Sequence, residues 1–224
     1  MLMKFFTGIL LLSIFTATSV QAQTTGVHVG PTAGMTLSVL DGQLNRTASF
    51  KPGFVGGAAV RWRPSVRVAV QAELVYAQQG VSNKLDFGPY PGESKVKLNY
   101  LNLPILLKIY AGNVVNFQFG PQFGLLLSGR RVGQSGYYSG SSGSGYVTED
   151  IDVKGRYKGD FALCGGVGVD LANGFMASAR INYGLSDIDN DVSTTSLRQA
   201  LGIGGIHNRT IQFTVGYLLG AGNK

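Results

Sequence analysis

The stretch Val115–Ser128, VNFQFGPQFGLLLS, sets Val115, Phe117, Phe119, Phe123, Leu125 and Leu127 against Asn116, Gln118, Gly120, Gln122, Gly124 and Ser128. Successive side chains of a strand point to opposite faces, so a period of two held this long defines a strand with one apolar and one polar face. Seven more segments repeat the pattern: Val27–Leu37, Phe54–Trp62, Val66–Tyr76, Leu101–Ile109, Phe161–Leu171, Phe175–Leu185 and Ile211–Leu219. Strands of soluble domains average about five or six residues, whereas a tilted membrane-spanning strand needs about nine to eleven. Length therefore favours a bilayer, with the apolar faces toward lipid and the polar faces toward a lumen. A soluble lipocalin-like barrel would exchange the faces, and these bulky side chains would crowd a bore that is barely wide enough for side chains when eight strands close.

The segments thus predict an all-β fold, an eight-stranded antiparallel up-and-down transmembrane β-barrel. The connections alternate in length as such a barrel requires. Arg63–Ser65, Ala111–Asn113 and Ala172–Gly174 are tight turns, whereas 40–52, 80–95, 129–158 and 187–208 are long polar loops. Short turns belong to the periplasmic side and long loops to the outside, which puts both termini in the periplasm. Within the loop 129–158, GQSGYYSGSSGSGY (133–146) has the composition of a flexible, unstructured segment. Trp62, Phe175 and Tyr217 fall near the short-turn ends and Tyr76, Tyr100, Phe161 and Tyr183 near the long-loop ends, as two aromatic girdles would. Pro104 and Pro121 stand inside strands that a closed barrel leaves without an edge, so irregular pairing is expected at both. The alternation also slips near Tyr100 and Leu101, which suits a bulge at the outer rim.

The compartment follows from the amino terminus. Lys4, the apolar run Phe5–Phe15 and the small-residue stretch ending at Ala22 form a secretory signal peptide. The expected organisation is a cleaved signal over 1–22 and one barrel domain over 23–224. No run of about twenty apolar residues follows residue 22, so no transmembrane helix is expected. The 33 glycines in 224 residues favour strands and turns over helices, and the single Cys164 precludes an internal disulfide. The formal charge of +7 is dispersed, which together with export argues against a nucleic-acid partner.

On the polar faces, Arg61, Arg63, Arg67 and Lys108 point inward near the short-turn ends with Asp170 as the inward carboxylate at that depth, and Glu73 and Arg180 lie higher on opposite walls. A charge in so narrow a bore is costly unless paired, so a Glu73–Arg180 contact is expected, as part of a polar plug. Other constellations are weak. Asp187, Asp189 and Asp191 start a calcium-loop pattern, but Val192 and Arg198 stand where a glycine and a bidentate glutamate belong. His207 near Ser193 and Ser196 lacks the Gly-x-Ser-x-Gly turn of a hydrolase, and His28 on an inward face reads as a hydrogen-bonded lumen residue. No enzyme, cofactor or metal is expected.

Three motifs occur in order: Glu73-Leu-Val-Tyr76-Ala-Gln78-Gln79-Gly80, Tyr100-Leu101-Asn-Leu-Pro104-Ile-Leu-Leu-Lys108 and Gly120-Pro121-Gln-Phe-Gly124-Leu-Leu-Leu127-Ser128. With Gly166-Val-Gly168, Arg180-Ile-Asn-Tyr-Gly184-Leu185-Ser-Asp187-Ile188 and Gly216-Tyr217, they make nearly all the mature chain resemble the PorT-like outer-membrane β-barrel family of Bacteroidetes. The resemblance implies an eight-stranded barrel in the cell outer membrane, in contact with outer-membrane lipid and inserted by the barrel assembly machinery. Some relatives take part in protein secretion, so secretion or envelope proteins are the partners it implies. The chain departs from the pattern by running on past Tyr217, which shifts the expected assembly signal to Phe213 and Tyr217. The resulting expectation is a non-enzymatic structural or accessory component; the alternatives are a narrow pore for small solutes and, further off, a surface hydrolase or adhesin.

Overall fold

The structure, a computed structural model, describes residues 26–42, 48–85, 92–139, 143–191, 196, 198, 200–202 and 204–220. The expected signal peptide lies outside these residues. Ten strands are formed: β1 (Gly26–Asp41), β2 (Ala48–Ser49), β3 (Lys51–Arg63), β4 (Val68–Leu85), β5 (Gly92–Ala111), β6 (Val115–Ser139), β7 (Gly143–Asp152), β8 (Asp160–Asp170), β9 (Phe175–Gly184) and β10 (His207–Tyr217). Eight of them, β1, β3, β4, β5, β6, β8, β9 and β10, pair antiparallel in chain order, and β10 returns to β1 through Thr32↔Gly216 to Asp41↔His207. The ring is closed. No described helix is long and apolar enough to cross a membrane, and none is needed, because closure pairs the backbone without leaving an edge.

The faces fall as the period-two pattern predicts. Phe54, Val60 and Trp62 on β3, Phe117, Phe119 and Phe123 on β6, and Phe213 and Val215 on β10 are exposed on the outside, while Thr32, Arg61, Gln71, Asn102, Gln118 and Gln212 are buried inside. A soluble protein leaving this continuous apolar belt in water would bear a large penalty, at roughly 25 cal/mol per Å². In hydrocarbon the same belt is at home. Trp62 and Tyr217 are exposed at the short-turn end and Phe161 and Tyr183 at the other, where Phe161 packs against Phe123 with centroids 5.2 Å apart. Tyr100 does not join the outer girdle. It is fully buried and turned into the bore, because β5 keeps one parity from Gly92 to Tyr110 and Tyr100 shares that of Asn102 and Lys108.

The irregularities sit where the prolines and the phase slip foretell. The β4–β5 ladder passes from Ala72↔Ile105 to Val75↔Asn102, skipping Pro104. The β5–β6 ladder passes from Pro104↔Gln122 to Leu107↔Phe119, skipping Pro121. A missing N–H is thus placed where the ladder is already open. The register shifts between Asn99↔Ser128 and Tyr100↔Leu126, so the extra residue is Leu127 on β6 rather than one on β5. Beyond Tyr217 the chain keeps to the wall, through a bridge between Leu219 and Val29.

Two of the long loops are not loops for most of their length. β4, β5 and β6 run to 18, 20 and 25 residues, well past what the bilayer needs. The supposed loop 80–95 is the paired end of β4 and β5, from Gly80↔Lys97 to Leu85↔Gly92. The Gly/Ser/Tyr stretch expected to be unstructured instead forms a hairpin, β6 pairing β7 from Arg130↔Asp152 to Ser139↔Gly143. Composition predicted flexibility there, but continuation of an existing ladder adds hydrogen bonds at each step and does not need an apolar face.

Because every described barrel strand has a partner on each side, folded protein should resist SDS at room temperature and migrate differently before and after boiling. Identical migration, with extraction from membranes by carbonate, would be incompatible with the ring.

Candidate functional site

Among the described residues the bore holds the largest group of buried charges, and it is built by parity: on each strand every second residue faces it. At the short-turn end Asp170 of β8 is the hub. It accepts from Arg61 Nη2 of β3 at 3.0 Å, Lys108 Nζ and Tyr110 Oη of β5 at 3.2 and 2.8 Å, and Asn116 Nδ2 of β6 at 2.7 Å. Four donors on one carboxylate supply what water would otherwise provide, which makes a buried charge tolerable. Gln71 of β4 links this level to the next. Its Oε1 accepts from Arg61 Nε at 2.7 Å and Lys108 Nζ at 3.2 Å, and its Nε2 donates to Glu73 Oε1 at 2.6 Å.

Glu73 then meets Arg180 of β9 across the bore in a two-pronged contact, Nη1 to Oε1 at 3.0 Å and Nη2 to Oε2 at 2.7 Å. Both are almost wholly buried. The planar fork of arginine matches the carboxylate, so each oxygen receives its own N–H. The glycines of Gly166-Val-Gly168 make room. A Cβ at Gly166 would come within 2.9 Å of Arg180 Cγ, and one at Gly168 within 2.8 Å of Asn116 Oδ1. That motif therefore hollows the β8 wall beside the two long-range contacts.

Of the seven residues expected in the bore, Arg61, Glu73, Lys108, Asp170 and Arg180 form one connected network. Arg63 is buried below it, stacked on the Tyr110 ring at 3.9 Å and donating to the Val66 carbonyl at 2.6 Å. Arg67 is not in the bore. It is exposed in the turn before Val68, because β4 begins one residue later and strand parity does not extend into a bend. Tyr110 and Gln71 complete the network although neither was singled out from sequence; Tyr110 lies two residues from Lys108 and shares its parity, which is the signal that could have found it.

Above this level the bore becomes less charged. Asn182 donates to Gln212 at 3.1 Å and Cys164 faces Gln122 at 3.6 Å, while the Ser178 and Thr214 hydroxyls meet at 2.7 Å on the short-turn side of Arg180. Asp160 accepts from Ser186 Oγ at 3.1 Å and Asn208 Nδ2 at 3.3 Å. The outer mouth holds an apolar cluster that includes Leu40, Val81, Leu98, Tyr100, Tyr157, Ile188 and Ile206. A single 3-10 turn, Lys154–Arg156, carries Tyr157 over it, and the Tyr157↔Asp189 bridge ties the two crossing loops together. Burial raises the Tyr157 phenol above its ordinary range.

The remaining candidates have structural partners. Asp187 caps the Asp189 and Ile206 amides, Asp189 pairs with buried Arg198 at 3.4 Å, and Asp191 pairs with Arg156 at 3.0 Å. No group of three or more metal-ligating side chains converges among the described residues. His207 Nδ1 contacts the Ser186 carbonyl at 3.0 Å, and Ser193 lies outside the described residues. His28 is buried on the inward face of β1.

A closed eight-stranded ring with an apolar belt outside and paired charges inside defines an integral outer-membrane β-barrel. The chain belongs to the outer membrane protein beta-barrel domain family, which matches residues 21–190, and its place is accordingly the outer membrane, in contact with membrane lipid. Similar solved structures include Ail, the attachment invasion locus protein of Yersinia pestis, crystallised with the heparin analogue sucrose octasulfate (15% identity, 87% of this chain and 100% of Ail, TM-score 0.40). Neisserial surface protein A is similar at 10% identity over 86% of this chain and 97% of its own, with a TM-score of 0.45. The translocator domain of the autotransporter NalP from Neisseria meningitidis is similar at 12% identity over 96% and 95%, with a TM-score of 0.32. No curated protein is significantly similar in sequence.

Removing one partner of a buried ion pair strands the other, at about 3–5 kcal/mol. Glu73→Ala should lower unfolding stability in lipid vesicles by that order, and Glu73→Ala/Arg180→Ala by clearly less than the two single losses summed. Strict additivity in denaturant titrations would show that the pair contributes no coupling.

Proposed function

We propose that the protein is a non-enzymatic structural or accessory barrel whose bore is plugged and whose outer extension meets partners. The observation that carries this reading is the unbroken chain Arg61–Asp170–Lys108–Gln71–Glu73–Arg180, which spans the bore from β3 to β9 beneath an apolar outer mouth. Ions crossing such a path would have to replace interactions that already pair these charges, and beyond them they would meet the apolar cluster at the outer mouth.

The same reading assigns partner contact to the outside. Above the belt β4, β5, β6 and β7 form an open sheet with exposed Val147 and Ile151 on β7, and protein secretion of the kind associated with the PorT-like group is the process it would serve. Insertion would use the barrel assembly machinery, with exposed Phe213 and Tyr217 on the closing strand as its recognition residues.

Purified protein in planar bilayers should give no stable conductance, while Glu73→Ala should give intermittent leak. Discrete, steady steps from the wild type would replace this reading with that of a narrow pore for small solutes. A deletion strain with unaltered secreted proteins and intact envelope would remove the secretion role while leaving the plugged barrel in place.

A further inference from the structure

Outside the bore, a second polar site lies on the outer wall above the lipid belt. Gly80 of β4, Lys97 of β5 and Arg130 of β6 are register partners in one row across three strands. Lys51, at the start of β3, lays its stem over the gap in that row: a Cβ at Gly80 would stand 3.5 Å from Lys51 Cδ. Gly80 has a φ of 132°, open in practice only to glycine, so the gap is built into the backbone. A cleft of about 690 Å³ opens here, lined by Phe50, Lys51, Gln78, Lys95, Lys97 and Arg130 among others.

Among the described residues the charges in this cleft do not balance. Glu93 pairs with Lys95 at 3.1 Å and Asp150 with Arg130 at 2.7 Å. Among the described residues neither Lys51 nor Lys97 forms an ion pair. Lys51 is 7% exposed, and among the described residues its ammonium donates to the neighbouring Pro52 carbonyl, at 3.5 Å. Burial, and then repulsion by Lys97 and Lys95, hold its pKa below the ordinary lysine value. A shielded cation facing other cations is stabilised by an anion, and Lys97, opposite an Arg130 already held by Asp150, adds its charge to that of Lys51.

Height on the wall identifies the source of that anion. Arg130 stands three residues beyond lipid-facing Leu127, about 10 Å along β6 and, with the tilt of a barrel strand, about 7–8 Å in height. Phe54, three residues nearer the belt than Lys51 on β3, is exposed below the cleft, so its basic floor continues into the apolar belt, while Phe50 lines it on the outer side. A free anion would use the cations alone; a lipid would use both halves. We propose that this cleft binds a phosphate of an outer-leaflet phosphoglycolipid of the lipid A type, with Lys51 and Lys97 on the phosphate beside the Arg130–Asp150 pair and the belt below them against its acyl chains.

The test is titration of lipid A into full-length protein in phosphatidylcholine nanodiscs, beside dephosphorylated lipid A and inorganic phosphate. Wild type should prefer the phosphorylated lipid, and Lys51→Gln/Lys97→Gln should weaken that binding by about tenfold per cation removed. Lys51→Arg should keep most of it, and all variants should retain the heat-dependent gel shift, which separates lost binding from lost folding. Equal binding of the two lipids, or undiminished binding by the double variant, would overturn the proposal. Displacement of lipid A by low-millimolar inorganic phosphate would overturn the lipid assignment in favour of a small-anion site.

Discussion

In hydrocarbon an unpaired backbone N–H or C=O has no water to turn to, and the pairing of β10 with β1 is what leaves the described barrel without such a row. The rest of the wall is arranged around that requirement. Pro104 and Pro121 fall at gaps in the β4–β5 and β5–β6 ladders, and the extra Leu127 is absorbed by a register shift instead of an open seam. Leu219 extends the seam by one more bridge after the last regular strand. Each irregularity costs a local bond, but none opens the ring.

Closure with eight strands also sets the width of the bore, and width decides its chemistry. Side chains from opposite walls meet, so Glu73 and Arg180, distant in the chain and on opposite sides of the ring, can share two hydrogen bonds. Gly166 and Gly168 make room for their neighbours on the adjacent strands, since they are the register partners of Arg180 and Asn116 and a Cβ at Gly166 would collide with the Ala179 carbonyl oxygen and one at Gly168 would stand 2.8 Å from Asn116 Oδ1. Outward residues obey a different solvent. Phe117, Phe119 and Phe123 are exposed because lipid, unlike water, imposes no hydrophobic penalty on them.

Above the belt these constraints relax and the barrel becomes lopsided. β4, β5, β6 and β7 continue outward as a sheet, while the β8–β9 side turns inward through Tyr157 and Ile188 to cover the mouth. One wall is thus exposed and basic, around Lys51, Lys97 and Arg130, and the opposite side supplies the lid. The paired charges thus fill the bore, while exposed cations such as Lys97 and Arg130 are left on the wall above the belt.

The sequence by itself determined what can be read at a period of two. Strand number, which face meets lipid, and the inward positions of Arg61, Lys108, Asp170, Glu73 and Arg180 all follow from alternation, which is local and is imposed by the surrounding solvent. Parity failed at Arg67, where the strand had not yet begun, and was not followed far enough to bring in Tyr110 or to turn Tyr100 inward. Only the tertiary structure decided which inward side chains touch, because contacts across the bore depend on the register with which the ring closes. It also decided the fate of the loops: the Gly/Ser/Tyr stretch forms a hairpin on β6, and Val81, Val153, Tyr157 and Ile188, scattered through polar segments with no period of their own, become a core. Those residues carry no repeating pattern because they are buried by loops folding over one another, and that arrangement exists only once the barrel beneath them has closed.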